Sequence, residues 1–465
     1  MQAFFNWVYM MVCGLLIILV FADYFVDSKI ILFMHSFFGL YLIFTSLIRR
    51  KVLDSIVPLI LIIVSILINI SGTEQFRLTT YWIGIREMHS VIVIILVIPF
   101  VSIVLKQENY LESVIAFCTK WIKTSVHLHI CLLIFAQFVS FFLLITTAPI
   151  VYQFVNKLFK DDEKWDFIKV TAIYRSVALA GIWIFSFPSF AYAVEALEVP
   201  LYLAMFHGLI LTIIGMILSV LFIKRFIRKN NLNLNITAFL GTFSHDSPEI
   251  VRKNVAEFLL LFSSLLLSIL FMHILLPLSL LSIIPFVTIT WTVLYFLLKR
   301  RLGILYLELK QYFKQVIPNK DKEINLFITA GIIMVSLEAS GWGEVLVNNI
   351  FDFTSQYEAA NILIILPLII TSLGCIGIPP SGSIILVAGL IQNITFSYSN
   401  GTILLALTFG TVLSVLLSPL SVPGVLLSTI NGLRPWENSI KNNFYYATVF
   451  FVIAEIYIFG LSAIL

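Results

Sequence analysis

Hydrophobic positions in this chain gather into long unbroken apolar runs separated by short polar joints, with almost none of the alternation that marks a strand. Read with a window of about 19 residues, the runs predict membrane spans near residues 4–24, 30–48, 56–70, 90–105, 178–197, 201–223, 255–276, 278–298, 362–391, 403–427 and 447–465. Two further apolar segments, 128–155 and 326–347, are broken in mid-course, and the pattern predicts re-entrant hairpins there. The fold class expected is an all-α polytopic membrane protein, with about 11 transmembrane helices plus two re-entrant hairpins and two structural repeats with interrupted helices.

Composition removes the other classes. Of 465 residues, 60% are hydrophobic and only 12% charged, with a mean hydropathy of +1.03, which no water-soluble globule shows. The first apolar run starts close to Met1 without a basic leader and is followed by Asp23 and Asp27, so it reads as a retained span and not a cleaved signal. Four scattered cysteines (Cys13, Cys118, Cys131, Cys375) imply neither a disulfide framework nor a metal site, and no cofactor is expected. The net charge of +4 comes from short basic clusters and not from a nucleic-acid-binding face.

Arg49-Arg50-Lys51, Lys224-Arg225, Arg228-Lys229, Arg252-Lys253 and Lys299-Arg300-Arg301 fall on one side if both hairpins return to the side they left. The positive-inside rule makes that side the cytoplasm of a cell membrane, with the N-terminus cytoplasmic and the C-terminus outside. The same count expects both hairpins to open toward the cytoplasm. The domains expected are 1–50 as peripheral helices, 51–229 as a first repeat, 230–253 as a cytoplasmic linker and 254–465 as a second repeat.

The most informative stretches are Trp183-Ile-Phe-Ser-Phe-Pro-Ser-Phe190 and Gly374-Cys-Ile-Gly-Ile-Pro-Pro-Ser-Gly-Ser383, apolar but carrying helix breakers and hydroxyls near their middles. Backbone freed there cannot face lipid and must line a protein-enclosed volume. Glycine allows close approach, proline stops the ladder, and short hydroxyls replace shed water. The substrate-binding candidates are therefore Ser186, Pro188 and Ser189 in the first break and Pro379, Pro380, Ser381, Gly382 and Ser383 in the second. Thr146 and Thr147 join them from the first hairpin, and Ser340 and Gly341 from the segment Ser336-Leu-Glu-Ala-Ser-Gly-Trp-Gly343. Glu338 and His207, ionisable and within or beside apolar runs, are the candidates for proton or ion coupling. Arg175 reads as an interfacial anchor, with long-range attraction of an anion as the alternative, and the Ser418-Pro-Leu-Ser-Val-Pro-Gly424 segment as an ordinary kink or, alternatively, the floor of the cavity. No HExxH, GxSxG or phosphate-binding loop points to an enzyme.

The order of interfacial helix, hairpin and interrupted span, occurring twice, with the glycine- and proline-rich segments 374–383 and 417–424, resembles the ion transporter superfamily, which includes citrate, dicarboxylate and arsenite carriers. That resemblance implies a secondary transporter that binds a small anion or organic acid at hairpin tips and unwound helices, coupled to protons or cations. It also implies a homodimer in the bilayer with no prosthetic group. The Ser-Asn-Thr signature of the sodium and dicarboxylate branch is absent from both hairpins. The competing class is a flippase or polymerase-like membrane protein handling lipid-linked glycan intermediates, for which large outer loops are expected.

Overall fold

The computed structural model describes residues 2–23, 25–26, 28–49, 56–72, 78–156, 163–232, 247–343, 345–346, 349, 361–392, 394 and 396–463. Most of the expected linker 230–253, and residues 344 and 347 of the second expected hairpin, lie outside them. The described residues form helices and no strands, and ten helices are long and apolar enough to cross a membrane. The protein is an all-α polytopic membrane protein.

The first half comprises α1 (Gln2–Asp23), α2 (Lys29–Arg49), α3 (Ile56–Ser71), α4 (Leu78–Leu105), α5 (Tyr110–Thr119), α6 (Ser125–Leu143), α7 (Thr147–Asn156), α8 (Glu163–Ala180), α9 (Pro188–Ala196) and α10 (Leu201–Asn230). The second comprises α11 (Pro248–Leu275), α12 (Leu280–Leu298), α13 (Leu302–Gln311), α14 (Asp321–Ser340), α15 (Ile362–Cys375), α16 (Pro380–Ile391), α17 (Asn400–Leu417), α18 (Val422–Asn431) and α19 (Asn442–Ser462). Their ends follow local rules. Pro188, Pro248 and Pro380 open α9, α11 and α16, where the missing N–H would have no partner anyway. Asn361 and Ser399 cap α15 and α17 by accepting from Leu363 N and Thr402 N. Gly341 and Gly432 stop α14 and α18 at φ of 75° and 72°.

Hydrogen bonds fix the helix directions. His129 Nδ1 lies 3.2 Å from Ile168 O, Gln137 Nε2 donates to Ser176 O at 2.8 Å, and Ser186 Oγ donates to Phe141 O at 2.8 Å. So α6 runs parallel to α8. Lys169 Nζ, one rung from Ile168, donates to Asn156 Oδ1 at 2.5 Å. A continuous helix would hold positions 129 and 156 about 40 Å apart, yet both stand beside the start of α8. The chain therefore turns back at Leu144–Thr146, where Leu144 takes φ 52°, and α6–α7 is the first re-entrant hairpin. Its mouth lies on the basic face, where Ser125 Oγ donates to Leu232 O just beyond Arg228 and Lys229 of α10.

The second reversal is displaced from its expected place. α14 runs unbroken from Asp321 to Ser340, parallel to α3 and antiparallel to α4. Ser336 to Ser340 continue the helix because their backbone stays paired and Ser340 Oγ bonds back to Leu337 O. The reversal comes instead at residues 376–379, where Gly377 at φ 99° is followed by Pro379 and Pro380. Asn361 Nδ2 donates to Tyr398 OH at one end of α15, and Ser418 Oγ donates to Gly374 O at the other, so α15 and α17 run side by side in one direction. α16 then returns, with Gly382 against Leu326 and Gly389 against Met334. The interrupted span 362–391 is thus the second hairpin, and 326–340 belongs to a through helix. The second interrupted crossing is α17–α18, broken at Ser418–Ser421, the place taken from the sequence for an ordinary kink.

Asn400 Nδ2 donates to Leu197 O, which sets the start of α17 beside the end of α9, on the face opposite the basic one. The second hairpin opens toward that face and the first toward the basic face, against the expectation that both open to one side. Among the described residues, with both hairpins re-entrant, the crossings are α1, α2, α3, α4, α8–α9, α10, α11, α12, α14, α17–α18 and α19.

With the four native cysteines replaced, Lys123→Cys and Ser397→Cys, at the mouths of the two hairpins, are expected to react with an impermeant maleimide from opposite sides of oriented vesicles; labelling from one side would overturn this topology. A second expectation concerns packing. A Cβ at Gly84 would stand 2.6 Å from Ile332 Cα, whereas one at Gly303 meets nothing within 4 Å. Gly84→Ala should cost about 1–3 kcal/mol of stability by overpacking, read as a lower melting temperature in detergent, and Gly303→Ala should lose none.

Candidate functional site

Four interruptions punctuate the helices: the turns at Leu144–Thr146 and 376–379, and the breaks at 181–187 and 418–421; Thr146, Ile376 and Leu420 are exposed, while Ile182, Ile184, Phe185, Ser186, Ser418 and Ser421 are buried. Ser186 Oγ on Phe141 O joins the first hairpin to the first break, and Ser418 Oγ on Gly374 O joins the second hairpin to the second. The two broken helices also touch each other. A Cβ at Gly181 would lie 3.3 Å from Thr411 Oγ1, and Tyr174 OH is 2.5 Å from Val415 O and 2.7 Å from Ser421 Oγ.

Most of the backbone freed by these breaks is accounted for. Ile184 N reaches Ala180 O, Phe187 N reaches Ile184 O, Ile378 N reaches Leu373 O, and Leu420 N uses the Ser418 hydroxyl. In a regular helix Val415 O would accept from residue 419, but Pro419 has no N–H to give; the Tyr174 hydroxyl takes that role from the other broken helix. Gln137 works in the same way, donating to Ser176 O and accepting from Trp183 Nε1 at 3.1 Å.

Several polar oxygens are buried without any hydrogen-bond partner: Ser140 Oγ, Thr147 Oγ1, Asn325 Oδ1 and Ser414 Oγ. Thr147 opens α7 at the first turn, and Ser140 stands one helical turn before that turn. Ser414 precedes the second break by one turn and lies so close to Gly374 that an added Cβ would clash with its hydroxyl. Asn325 adjoins Leu326, which packs on Gly382 at the start of α16. An unsatisfied buried polar atom costs about 1–3 kcal/mol, so these are the atoms a ligand or bound water would satisfy.

The structure brings Thr147, Ser186, Pro188, Ser189, Pro379, Pro380, Ser381, Gly382 and Ser383 to the interruptions. Ser186, Ser189 and Ser383 are buried, and Ser383 Oγ turns back on Pro379 O at 3.3 Å. Thr146 is at the first turn but exposed, its hydroxyl on Leu143 O. Ser340, Gly341 and Glu338 are placed elsewhere, at the far end of α14 against Gly72, and the Glu338 side chain is exposed. His207 is also remote, with Nδ1 2.9 Å from Tyr457 OH near the start of α10.

Sequence reasoning missed Tyr174, Gln137, Asn325 and the row Thr408, Thr411, Ser414, Ser418. That row was readable: hydroxyls recurring every three or four residues mark one face of a helix.

Arg175 is not the interfacial anchor it was expected to be. It is 2% exposed, between α6, α10 and α19, and cannot reach headgroups. Its Nε donates to Asn443 Oδ1 at 2.9 Å, Nη1 to Ser219 Oγ at 3.1 Å and Nη2 to Asn442 O at 3.1 Å, with the guanidinium 4.2 Å from the Tyr446 ring centroid. Asn443, Ser219, the Asn442 carbonyl and Tyr446 are all neutral, so its charge stays uncompensated by these contacts. Lys169, equally buried, pairs with Asp166 at 2.6 Å. Among the described residues no three His, Cys, Asp or Glu side chains stand together as a metal centre requires.

Arg175→Lys is expected to lower stability by about 1–3 kcal/mol, because one ammonium cannot reproduce the fork to three acceptors. Arg228→Lys, on an exposed stretch of α10, should change it by less than about 0.5 kcal/mol. Equal melting temperatures for both variants would show that the Arg175 clamp contributes nothing.

No protein-family model matches this chain, and no curated protein matches it either.

Proposed function

We propose that the chain is a secondary active transporter that moves a small solute, an anion or organic acid, across the cell membrane by alternating access with proton or cation coupling. The observation that carries this reading is a set of four backbone interruptions linked pairwise by hydrogen bonds, with the buried hydroxyls of Ser140, Thr147 and Ser414 left unpartnered beside them. A purely structural bundle would gain by replacing them with apolar side chains.

The arrangement also supports an inverted repeat. α3 is parallel to α14, α4 lies against α14 and α12 lies against α4. Each hairpin then leads into an interrupted crossing and a final helix, in opposite senses: α6–α7, α8–α9, α10 and α15–α16, α17–α18, α19. Each hairpin's second arm packs on the second segment of the other unit's broken helix, α7 on α18 and α16 on α9. Inverted repeats of this kind build secondary transporters with the substrate near the midplane.

The choice of an anion rests on charge. Arg175 lies six residues before the Gly181 break with no acid among its bonded partners, and α7 and α16 begin at the two turns, where helix N-termini carry partial positive charge. The basic face is the cytoplasmic one, which puts the N-terminus inside and the C-terminus outside.

A thermal-shift screen of the purified protein against organic acids and inorganic anions, with and without sodium and across pH, should find a ligand, and a ligand at 100 times its Kd adds about 2.7 kcal/mol of stability. Uptake into liposomes should follow for the same compound. Thr147→Val and Ser414→Ala should each weaken its binding about tenfold, or ~1.4 kcal/mol, while Thr429→Val, on the exposed side of α18, should leave it unchanged. Failure to find any stabilising or transported solute, or equal effects of all three variants, would overturn the reading.

A further inference from the structure

Glu455 lies inside α19, 7% exposed, and neither of its carboxylate oxygens has a hydrogen-bond partner. The helix that carries it is built into the scaffold. Near its start Asn443 and Asn442 hold Arg175, and Tyr446 OH donates to Gly215 O at 3.0 Å. One turn below Glu455 on the same face, Phe451 stacks on Phe409 of α17 with ring centroids 6.2 Å apart. Ala454 and Ile458 beside it are wholly buried.

The elements packed against α19 offer this carboxyl no counter-charge. α17 carries no acidic or basic residue, and α15 carries only Cys375, at its far end. On α10 the titratable group at this level is His207, whose ring is held by Tyr457 OH, two residues on and on another side of α19; Lys224, Arg225, Arg228 and Lys229 are at the opposite end. On α8 the charged residues are Arg175, at the Asn443 rung, and Lys169, Asp166, Lys164 and Glu163 beyond it, and the Lys441–Glu437 pair precedes the start of α19. From Asn443 to Glu455 the helix rises about 18 Å. The buried arginine bonded only to neutral groups and the buried acid without a partner therefore share one scaffold and cannot neutralise each other.

An ionised carboxylate in such a place is costly, and acids inside membrane helices mark ion and proton pathways. A metal cation would need several oxygen ligands, and among the described residues no hydrogen-bonding group stands within reach of either Glu455 oxygen. We propose that Glu455 is the coupling group of the transporter: one carboxyl oxygen holds a proton in the conformation seen here and returns it to water when the scaffold opens on the other face. The assignment rests on the transporter reading and replaces Glu338 and His207 in the coupling role.

The test uses the full chain in liposomes and dicyclohexylcarbodiimide, which modifies protonated carboxyls in apolar surroundings, with the modified residue located by peptide mass spectrometry. Labelling is expected at Glu455, falling at least tenfold as pH is raised, absent in Glu455→Gln and undiminished in Glu249→Gln. In uptake assays Glu455→Gln should lose acceleration by a pH gradient and keep solute exchange. A Glu455 that never labels, or a variant whose uptake follows the gradient as before, would overturn the proposal. If the variant does not fold, the labelling and pH profile of the unmodified protein decide alone. Absence of any solute transport by the unmodified protein would sink the transporter reading separately, since labelling needs no substrate.

Discussion

A polypeptide that unwinds inside hydrocarbon must find partners for its amides and carbonyls within the protein, and the rest of this architecture follows from that demand. Two hairpin turns and two helix breaks leave more backbone groups than their own turns satisfy. Hydroxyls from neighbouring elements take up the remainder: Ser186 on Phe141 O, Ser418 on Gly374 O, Tyr174 on Val415 O. Each donor comes from a different segment than its acceptor, so no interruption is stable without its neighbour. The helices differ in enclosure: α4 is mostly buried and α11 mostly exposed, which marks α4 as an inner wall and α11 as a lipid-facing one.

Close approach supplies the second requirement. With lipid on the outside there is no hydrophobic drive between helices, and packing depends on small residues that let backbones meet. Gly84 and Gly331 bring α4 and α14 together, and Gly374 and Gly410 do the same for α15 and α17. At Gly208 the absent side chain does more. An added Cβ would sit 2.5 Å from Ile182 O, so α10 covers the first break with its own backbone and shields that carbonyl from lipid. Substitution there would uncover an interruption as well as separate two helices.

The class of the molecule, most crossings and the first hairpin were legible because hydropathy and helix breakers act locally. What hydropathy does not carry is direction. Residues 362–391 form an apolar run that reads as one long crossing, and only the conformation of Gly377 with Pro379 and Pro380 turns it into two short antiparallel arms. Conversely, Ser336, Ser340 and Gly341 look like a turn in sequence, but serine hydroxyls that bond back one turn are compatible with helix, and the stop comes only at Gly341. Exchanging those two assignments keeps the number of crossings and moves one hairpin mouth to the other face. Arg175 was illegible for another reason. Its main partner, Asn443, is 268 residues away, and a single arginine near an apolar run looks the same whether it snorkels or is clamped.

Charge explains why the clamp and the breaks belong together. A guanidinium buried on neutral acceptors is tolerated only when all its bonds are made with good geometry, and here Asn443, Ser219 and Asn442 O meet it from two helices while Tyr446 covers its face. The arginine thereby ties α10 and α19 to α8. Along α8 the guanidinium stands six residues before the Gly181 break. On the transporter reading proposed above, a rigid cation behind a broken helix would favour negative charge at the nearby hydroxyls without a charged group at the point of contact.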